Sequence, residues 1–247
     1  MGPIYVAEVN VQSQIMISKL THYATAFQNQ TIAYQKIIAA LSTLRALKQK
    51  QLPLTPLPSL SFSESQILKD LRLMPVDDLL SEFRQTLITN FGIWHLPNQS
   101  WITDLHRFIA GRKALEIMCG NAIITYALRE LGDDITATDN FIWQGQDIQM
   151  PKPWTKVTKM SGLTAVKTLP FDVVIMSWAP DTDASDATIL TALREQHFTG
   201  DFIVIGEKNQ ATNSSKFWQI ADLTLSKNLN QHHHQFDSIH DQIFIVK

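Results

Sequence analysis

The chain has 247 residues, 45% of them hydrophobic, and a formal net charge of −2. A chain of this length can bury a full core, and its near-neutral charge gives no signal for binding nucleic acid or an anionic membrane. Its one cysteine, Cys119, excludes an internal disulfide framework and suits a reducing compartment. The sequence shows no secretory signal and no apolar run near the ~20 residues of a membrane span, so we expect a cytoplasmic protein without a membrane partner.

The first 60 residues predict a long helix followed by a proline-rich linker. Residues 13–50 contain neither glycine nor proline, and mostly apolar side chains recur every three or four positions. This stripe consists of Leu20, Ala24, Phe27, Thr31, Tyr34, Ile38 and Leu41. Because an isolated helix would leave the stripe in water, we expect a helix, continuous or broken once, that packs on another helix. The partner is either residues 76–90 or a second copy of the chain, and we favour a homodimer through the N-terminal helix.

Residues 61–110 predict a helical extension. Ser63 is a typical helix N-cap, and Glu64 in the first turn favours a short helix that runs to about residue 72. Residues 76–90 and 101–109 predict two further helices. Residues 111–247 change to short apolar strands that alternate with helices, which is typical of an α/β domain.

The most informative part of this third segment is residues 113–140. They predict a short apolar strand that contains Glu116, a tight turn at Gly120, a helix over 121–131 and a second strand that ends at Asp139. This is the layout that binds an adenosine ribose: a strand, a glycine turn, a helix and a second strand, with a carboxylate about 20 residues after the first strand. The glycine lets the backbone approach the ligand, and the second carboxylate accepts hydrogen bonds from the ribose hydroxyls.

The glycine content of the turn separates two classes of cofactor. A dinucleotide site needs G-x-G-x-x-G to seat a pyrophosphate, but here Met118 and Ala122 stand on either side of the single Gly120. The stretch resembles the first motif of class I S-adenosylmethionine-dependent methyltransferases, acid-x-G-x-G-x-G after an apolar strand. Glu116, Gly120 and Asn121 match that motif, and the two departures predict a tighter loop.

The resemblance continues in order along the chain. Further strands are predicted over residues 156–160, 171–178 and 201–207, and two more over 232–239 and 242–247, with a turn between them at positions 240 and 241. The last two are similar to the terminal antiparallel hairpin of methyltransferases. The implied fold is α/β, with a Rossmann-like seven-stranded methyltransferase sheet and a terminal antiparallel hairpin, preceded by an all-helical N-terminal region.

The resemblance also implies a function, S-adenosylmethionine-dependent methyl transfer to an unidentified acceptor. The implied cofactor, S-adenosyl-L-methionine, would contact Glu116, Met118, Cys119, Gly120, Asn121, Asp139, Asn140, Phe141, Ser161, Gly162 and Ser177. The implied acceptor side consists of Trp178, Pro180 and Glu207. The segment 177–180 is only distantly similar to the Asp/Asn-Pro-Pro-aromatic motif of amino-methylating enzymes, so adenine methylation is not inferred.

Several residues have a second interpretation. Glu116 also suits the capping of local backbone amides, and Trp178 also suits ordinary core packing. Cys119 lacks a visible base partner and is interpreted as a small packing residue. Trp94 and His95 precede the first strand, where methyltransferase residues often close over the cofactor, although loop packing explains them as well.

No metal site is expected. His232, His233 and His234 are adjacent, but on a strand only the first and third share a face, and no Cys/His spacing completes a zinc site. Two rival functions stay open. One is a non-catalytic S-adenosylmethionine-binding or interaction protein, and the less favoured one is an NAD-dependent oxidoreductase.

Overall fold

The computed structural model describes residues 3–142 and 152–247, with side chains from residue 12 onward. Its N-terminal part is helical. The elements are α1 (Pro3–Ala26), α2 (Thr31–Lys48), α3 (Glu64–Lys69), a 3₁₀ turn (Leu71–Leu73), α4 (Met74–Ser81), α5 (Phe83–Phe91) and α6 (Gln99–Ile109). No helix in the described ranges combines the length and the apolar character that crossing a bilayer requires.

The predicted N-terminal helix is broken once, between α1 and α2, and the two halves pack against each other. Leu20, Phe27 and Leu41 of the predicted stripe are buried as expected. Tyr34 is exposed instead, because the break restarts the helical phase and turns Ile37 toward the core. Packing within the chain therefore covers most of the stripe, and the homodimer stays a prediction.

The other predicted helices are present with shifted ends. The Ser63 hydroxyl accepts a hydrogen bond from the Gln66 amide, and the Gln66 side chain accepts one from the Ser63 amide, so a capping box starts α3 where predicted. This helix ends at Lys69, because Asp70 caps the following 3₁₀ turn. The helix predicted over 76–90 is two helices that meet at Glu82.

The second half of the chain forms one mixed sheet. Its strands are β1 (Ala114–Ile117), β2 (Ile135–Asp139), β3 (Thr158–Lys159), β4 (Val173–Ser177), β5 (Asp201–Gly206), β6 (Leu223–Leu225) and β7 (Gln242–Val246). The helices between them are α7 (Ile123–Glu130), α8 (Gly162–Thr168), α9 (Ser185–Glu195) and α10 (Ser215–Ile220).

The strand order is β3-β2-β1-β4-β5-β7-β6, and β7 runs antiparallel to both β5 and β6 while the other pairs are parallel. A seven-stranded sheet whose seventh strand runs antiparallel between the fifth and sixth is the class I methyltransferase fold. The predicted fold class is therefore confirmed.

The position predicted for the sixth strand is wrong. Residues 232–239 form no strand, and β7 pairs instead with Leu223–Leu225. This edge strand is short and partly exposed, so it lacks the apolar run that marks a buried strand. Two histidines of the mispredicted segment make side-chain contacts instead: His232 Nδ1 lies 2.6 Å from Asp104 Oδ2, and His233 Nε2 lies 3.2 Å from Asp241 Oδ1.

Alternate side chains of the central strands enter two cores, one on each face of the sheet. Val173, Ile175 and Ile203 lie in a cluster with side chains of the N-terminal helices, whereas Val174 and Met176 lie in a second cluster with residues of α8, α9 and α10. The first cluster contains residues from all three predicted segments, 1–60, 61–110 and 111–247. The helical region is thus one layer of a three-layer structure.

Truncating a buried residue of α1 tests this packing. Leu20 is 0% exposed and Ile15, on the same helix, is 48% exposed. We expect Leu20→Ala to lower the free energy of unfolding by about 2–5 kcal/mol, because it removes a buried side chain and leaves a cavity. Ile15→Ala should change it by roughly 0.5 kcal/mol or less. Urea unfolding followed by circular dichroism measures both.

The same experiment tests the homodimer. If a second copy covers α1, the unfolding midpoint of the wild type rises with protein concentration. If only internal packing covers it, the midpoint stays constant and light scattering gives the monomer mass. Equal losses in the two variants would contradict the packing described above.

Candidate functional site

A cleft lies at the carboxyl ends of β1, β2 and β4, where the strand order reverses between β1 and β4. Open parallel sheets bind their ligands at such a switch point. The cleft has a volume of about 1180 Å³, counting the space that is open to solvent. The predicted site residues that line it are Glu116, Met118, Cys119, Gly120, Asn121, Asp139, Asn140, Ser177, Trp178 and Pro180.

The loop after β1 takes a left-handed backbone at three positions. The φ angles are 52° at Met118, 53° at Gly120 and 56° at Ala122. These are the three glycine positions of the methyltransferase motif, so the loop keeps a glycine-like path with two residues that carry side chains. Left-handed geometry costs an L-residue about 1–2 kcal/mol, so the surrounding structure must hold this loop in place.

Asp139 provides much of that support. Its Oδ2 accepts a hydrogen bond from the Gly120 amide at 2.8 Å, and its Oδ1 accepts one from the Phe141 amide at 2.7 Å. The side chain is buried yet lines the cleft. Each carboxylate oxygen has two lone pairs, so each has capacity to accept a further hydrogen bond from a ligand hydroxyl.

Glu116 lies beneath the same loop and is also buried. Its Oε2 accepts hydrogen bonds from the Thr125 amide at 2.9 Å and from the Thr125 hydroxyl. The capping interpretation of Glu116 therefore holds, and the residue lines the cleft as well. Burial, with a smaller contribution from the nearby Asp139 charge, raises the pKa of Glu116 to about 7.

Another part of the cleft wall is built around Trp178, which follows β4 with a φ of 52°. Its indole Nε1 donates a hydrogen bond to Asp241 Oδ2 at 2.8 Å. The guanidinium carbon of Arg84 lies 4.5 Å from the centroid of the Trp178 ring and 4.5 Å from that of Phe236, which is within cation–π range. Trp94 adds a second indole, with ring centroids 6.4 Å apart.

Arg84 is itself held on several sides. It forms a bidentate ion pair with Asp237 and donates from Nη1 to the Trp94 carbonyl at 2.8 Å. Because α5 supplies Arg84 and the loop after α5 supplies Trp94, the helical layer forms part of the cleft wall. Sequence reasoning singled out Trp94 and His95, and both line the cleft.

Sequence reasoning did not identify Arg84 and Asp241, because their partners Asp237 and Trp178 lie far away in the chain.

Four predicted site residues do not line the cleft. Ser161 caps α8 through its hydroxyl, which accepts from the Thr164 amide at 3.1 Å, and Gly162 lies closely packed against Ile189. Glu207 is buried and accepts hydrogen bonds from the amides of residues 211 and 240 at 3.2 and 2.7 Å. Phe141 donates its amide to Asp139, but its side chain is not part of the lining. Their proposed roles stay predictions.

Two further groups in the cleft have altered acidity. Burial and the nearby carboxylates raise the pKa of the Cys119 thiol far above its usual range, which keeps it protonated and unreactive. Burial lowers the pKa of His95 to about 3, so its imidazole is neutral.

Among the described residues, the buried hydroxyl of Ser177 and both ring nitrogens of His95 have no hydrogen-bond partner.

The raised pKa of Glu116 predicts a pH dependence of stability. The folded protein holds this proton more tightly than the unfolded chain, whose glutamates titrate near 4.5. The stabilisation is therefore complete below about pH 4.5 and is lost as the pH rises through about 7, by about 3 kcal/mol in total. Glu116→Gln, which keeps an acceptor for Thr125, should remove this component.

Unfolding of both proteins by urea between pH 4.5 and 8 measures the effect as the difference between their two curves. The matched control is Glu130→Gln, at an exposed position at the end of the same helix α7, which should leave the curve of the wild type unchanged. A constant difference between wild type and Glu116→Gln would show that Glu116 has an ordinary acidity.

The comparisons with known proteins give distant structural likenesses. No protein-family model matches the chain, and no curated protein matches it. Magnesium protoporphyrin IX methyltransferase from Synechocystis PCC 6803 is 11% identical, with a TM-score of 0.38 over 60% of this chain and 79% of that chain. A point mutant of MtNAS in complex with S-adenosylmethionine is 13% identical, with a TM-score of 0.38 over 100% and 98%.

A putative class I S-adenosylmethionine-dependent methyltransferase from Listeria monocytogenes is 16% identical, with a TM-score of 0.37 over 96% of this chain and 88% of that chain. The assignment of the fold rests on the strand order and strand directions of this chain itself.

Proposed function

We propose that this chain binds S-adenosylmethionine in the cleft and transfers its methyl group to an acceptor. The observation that carries the proposal is the pairing of Asp139 with the left-handed loop at Gly120, at the switch point of a methyltransferase sheet. A buried carboxylate at the tip of β2 suits two vicinal ribose hydroxyls. Only one of the three left-handed positions of the loop is a glycine, which suits a ligand without a pyrophosphate better than a dinucleotide.

The lining residues divide into three parts that fit this cofactor. Asp139 and Asn140 would hold the ribose, and the apolar Ile142 would lie against the adenine. Glu116 and the loop at Gly120 would face the amino-acid part, whose ammonium group favours an ionised carboxylate nearby. When bound, S-adenosylmethionine supplies an electrophilic methyl group on a sulfonium.

The residues after β4 form the acceptor side of the proposal. Methyl transfer requires in-line alignment and exclusion of water more than it requires a protein nucleophile. Trp178 is fixed by Asp241 and Arg84, so it offers a rigid apolar wall for that alignment. The Ser177 hydroxyl, which has no hydrogen-bond partner among the residues that the structure describes, offers a hydrogen bond to a polar acceptor. Pro180 and Glu207 remain candidate acceptor-side residues.

We place the reaction in the cytoplasm, because the one cysteine is a free thiol and suits a reducing compartment. A homodimer through the N-terminal helices remains part of the proposal. The acceptor is left open, since the fold hosts many substrates and does not itself select one.

Removing the Asp139 carboxylate should weaken cofactor binding. We expect Asp139→Ala to lose about 1.5–3 kcal/mol of binding free energy for S-adenosylmethionine and for S-adenosylhomocysteine, the scale of a hydrogen bond to a charged group. Asp139→Asn keeps one acceptor oxygen and should lose less. The matched control, Asp134→Ala, changes an exposed carboxylate just before β2 and should bind as the wild type does.

Isothermal titration calorimetry measures these affinities, with NAD titrated in parallel. Binding of NAD in preference to S-adenosylmethionine would favour the oxidoreductase alternative. Equal affinities of the wild type and Asp139→Ala would remove the basis of the proposal. Cofactor binding without release of S-adenosylhomocysteine, across acceptors with nitrogen, oxygen and sulfur nucleophiles, would favour a non-catalytic binding protein.

A further inference from the structure

Three potential metal ligands from distant parts of the chain meet beside the cleft. They are His95, from the loop after α5, His233, from the segment between β6 and β7, and Asp241, which directly precedes β7. One ligand atom from each lies within 4.8 Å of the other two. The two imidazole rings have centroids 5.3 Å apart and are inclined at 48°, so they are not stacked face to face.

His95 is the member that most needs a partner. It is 6% exposed, and neither ring nitrogen has a hydrogen-bond partner among the described residues. Leaving one buried polar group unsatisfied costs about 1–3 kcal/mol, and an imidazole presents two nitrogens. The edge-to-face contact between the His95 and Trp101 rings fixes the position of the imidazole, but it gives neither ring nitrogen a hydrogen bond.

The other two ligands are already oriented toward each other. His233 Nε2 lies 3.2 Å from Asp241 Oδ1, a separation that two adjacent ligands of one metal ion can share. The second carboxylate oxygen of Asp241 accepts the hydrogen bond from Trp178 Nε1. Such a bond from outside the ligand set orients a metal-binding carboxylate.

We propose that His95, His233 and Asp241 bind a divalent first-row transition-metal ion, for which Zn²⁺ is the probe. Two imidazole nitrogens and one carboxylate oxygen form a ligand set that such ions prefer over Mg²⁺ or Ca²⁺. Binding would satisfy one nitrogen of His95 and would require its ring to move toward the other two ligands. Three protein ligands leave a tetrahedral ion one position for water or an acceptor atom.

The site differs from the one that the run of three histidines suggested. Of the three adjacent histidines, only His233 belongs to the cluster, whereas His232 contacts Asp104 and His234 is exposed. His95 and Trp178 also line the cofactor cleft, so the ion would lie at its wall. The proposal does not depend on methyl transfer, because metal binding can be measured without cofactor.

The test is a Zn²⁺ titration of the full chain after removal of metals with a chelator. We expect one equivalent to bind, and we expect His95→Phe and His233→Gln to weaken binding by roughly 100-fold, because each removes a ligand. His95→Phe keeps a ring against Trp101, and circular dichroism checks that both variants fold. The matched control is His234→Ala, which removes an exposed neighbouring histidine and should bind as the wild type does.

Co²⁺ provides a second readout, since its visible ligand-field absorption reports the ligands and the geometry. Bands that appear in the wild type and in His234→Ala but not in folded His95→Phe would support the site. Absence of stoichiometric Zn²⁺ binding by the wild type would overturn the proposal, as would binding that survives in both ligand variants. Loss of binding in His234→Ala would assign the ion to the exposed histidines and would also overturn it.

Discussion

The two hydrogen bonds that Asp139 accepts hold two loops of the cleft together. One fixes the amide of Gly120 after β1 and the other fixes the amide of Phe141 after β2, so one carboxylate joins both loops of the cleft. The loop needs this restraint because Met118 and Ala122 occupy left-handed conformations without being glycines. The carboxylate that is proposed to bind the ribose therefore also shapes the loop that approaches it.

A second buried carboxylate, Glu116, lies close enough to Asp139 for their charges to interact. Burial is the main cause of the raised pKa of Glu116, and repulsion from the Asp139 charge adds a smaller contribution. A ligand with a positive charge would offset that repulsion. The charge of the cleft thus favours a cationic ligand, and S-adenosylmethionine carries a sulfonium and an ammonium group.

The parts of the fold that the sequence predicted are those with strong local signals. Strands β1, β4 and β5 are mostly apolar runs buried by both layers, and the turn at Gly120 fixed the position of Asp139 at the end of the next strand, β2. The short edge strand β6 was misplaced because its side chains are mostly exposed and carry no clear pattern. The break between α1 and α2 was allowed for but not located, because no glycine or proline marks it.

The cluster of His95, His233 and Asp241 was beyond local reasoning for a different reason. His233 and Asp241 are eight positions apart, and the path of the long connection before β7 brings them together. His95 joins them from the other half of the chain. Sequence spacing identifies metal sites when one turn or helix holds the ligands. It has little power when three loops do so.

The placement of Arg84 between Trp178 and Phe236 has a consequence for how such a protein can diversify. The proposed cofactor side of the cleft consists of loops that follow the parallel strands, whereas the wall around Trp178 also depends on Arg84 and Trp94 from the helical layer. Part of that wall is thus encoded in a separate stretch of the chain. Under the proposed function, changes in the helices could reshape the acceptor side while the cofactor loops stay under their own constraints, so relatives would share the cofactor and differ in what they modify.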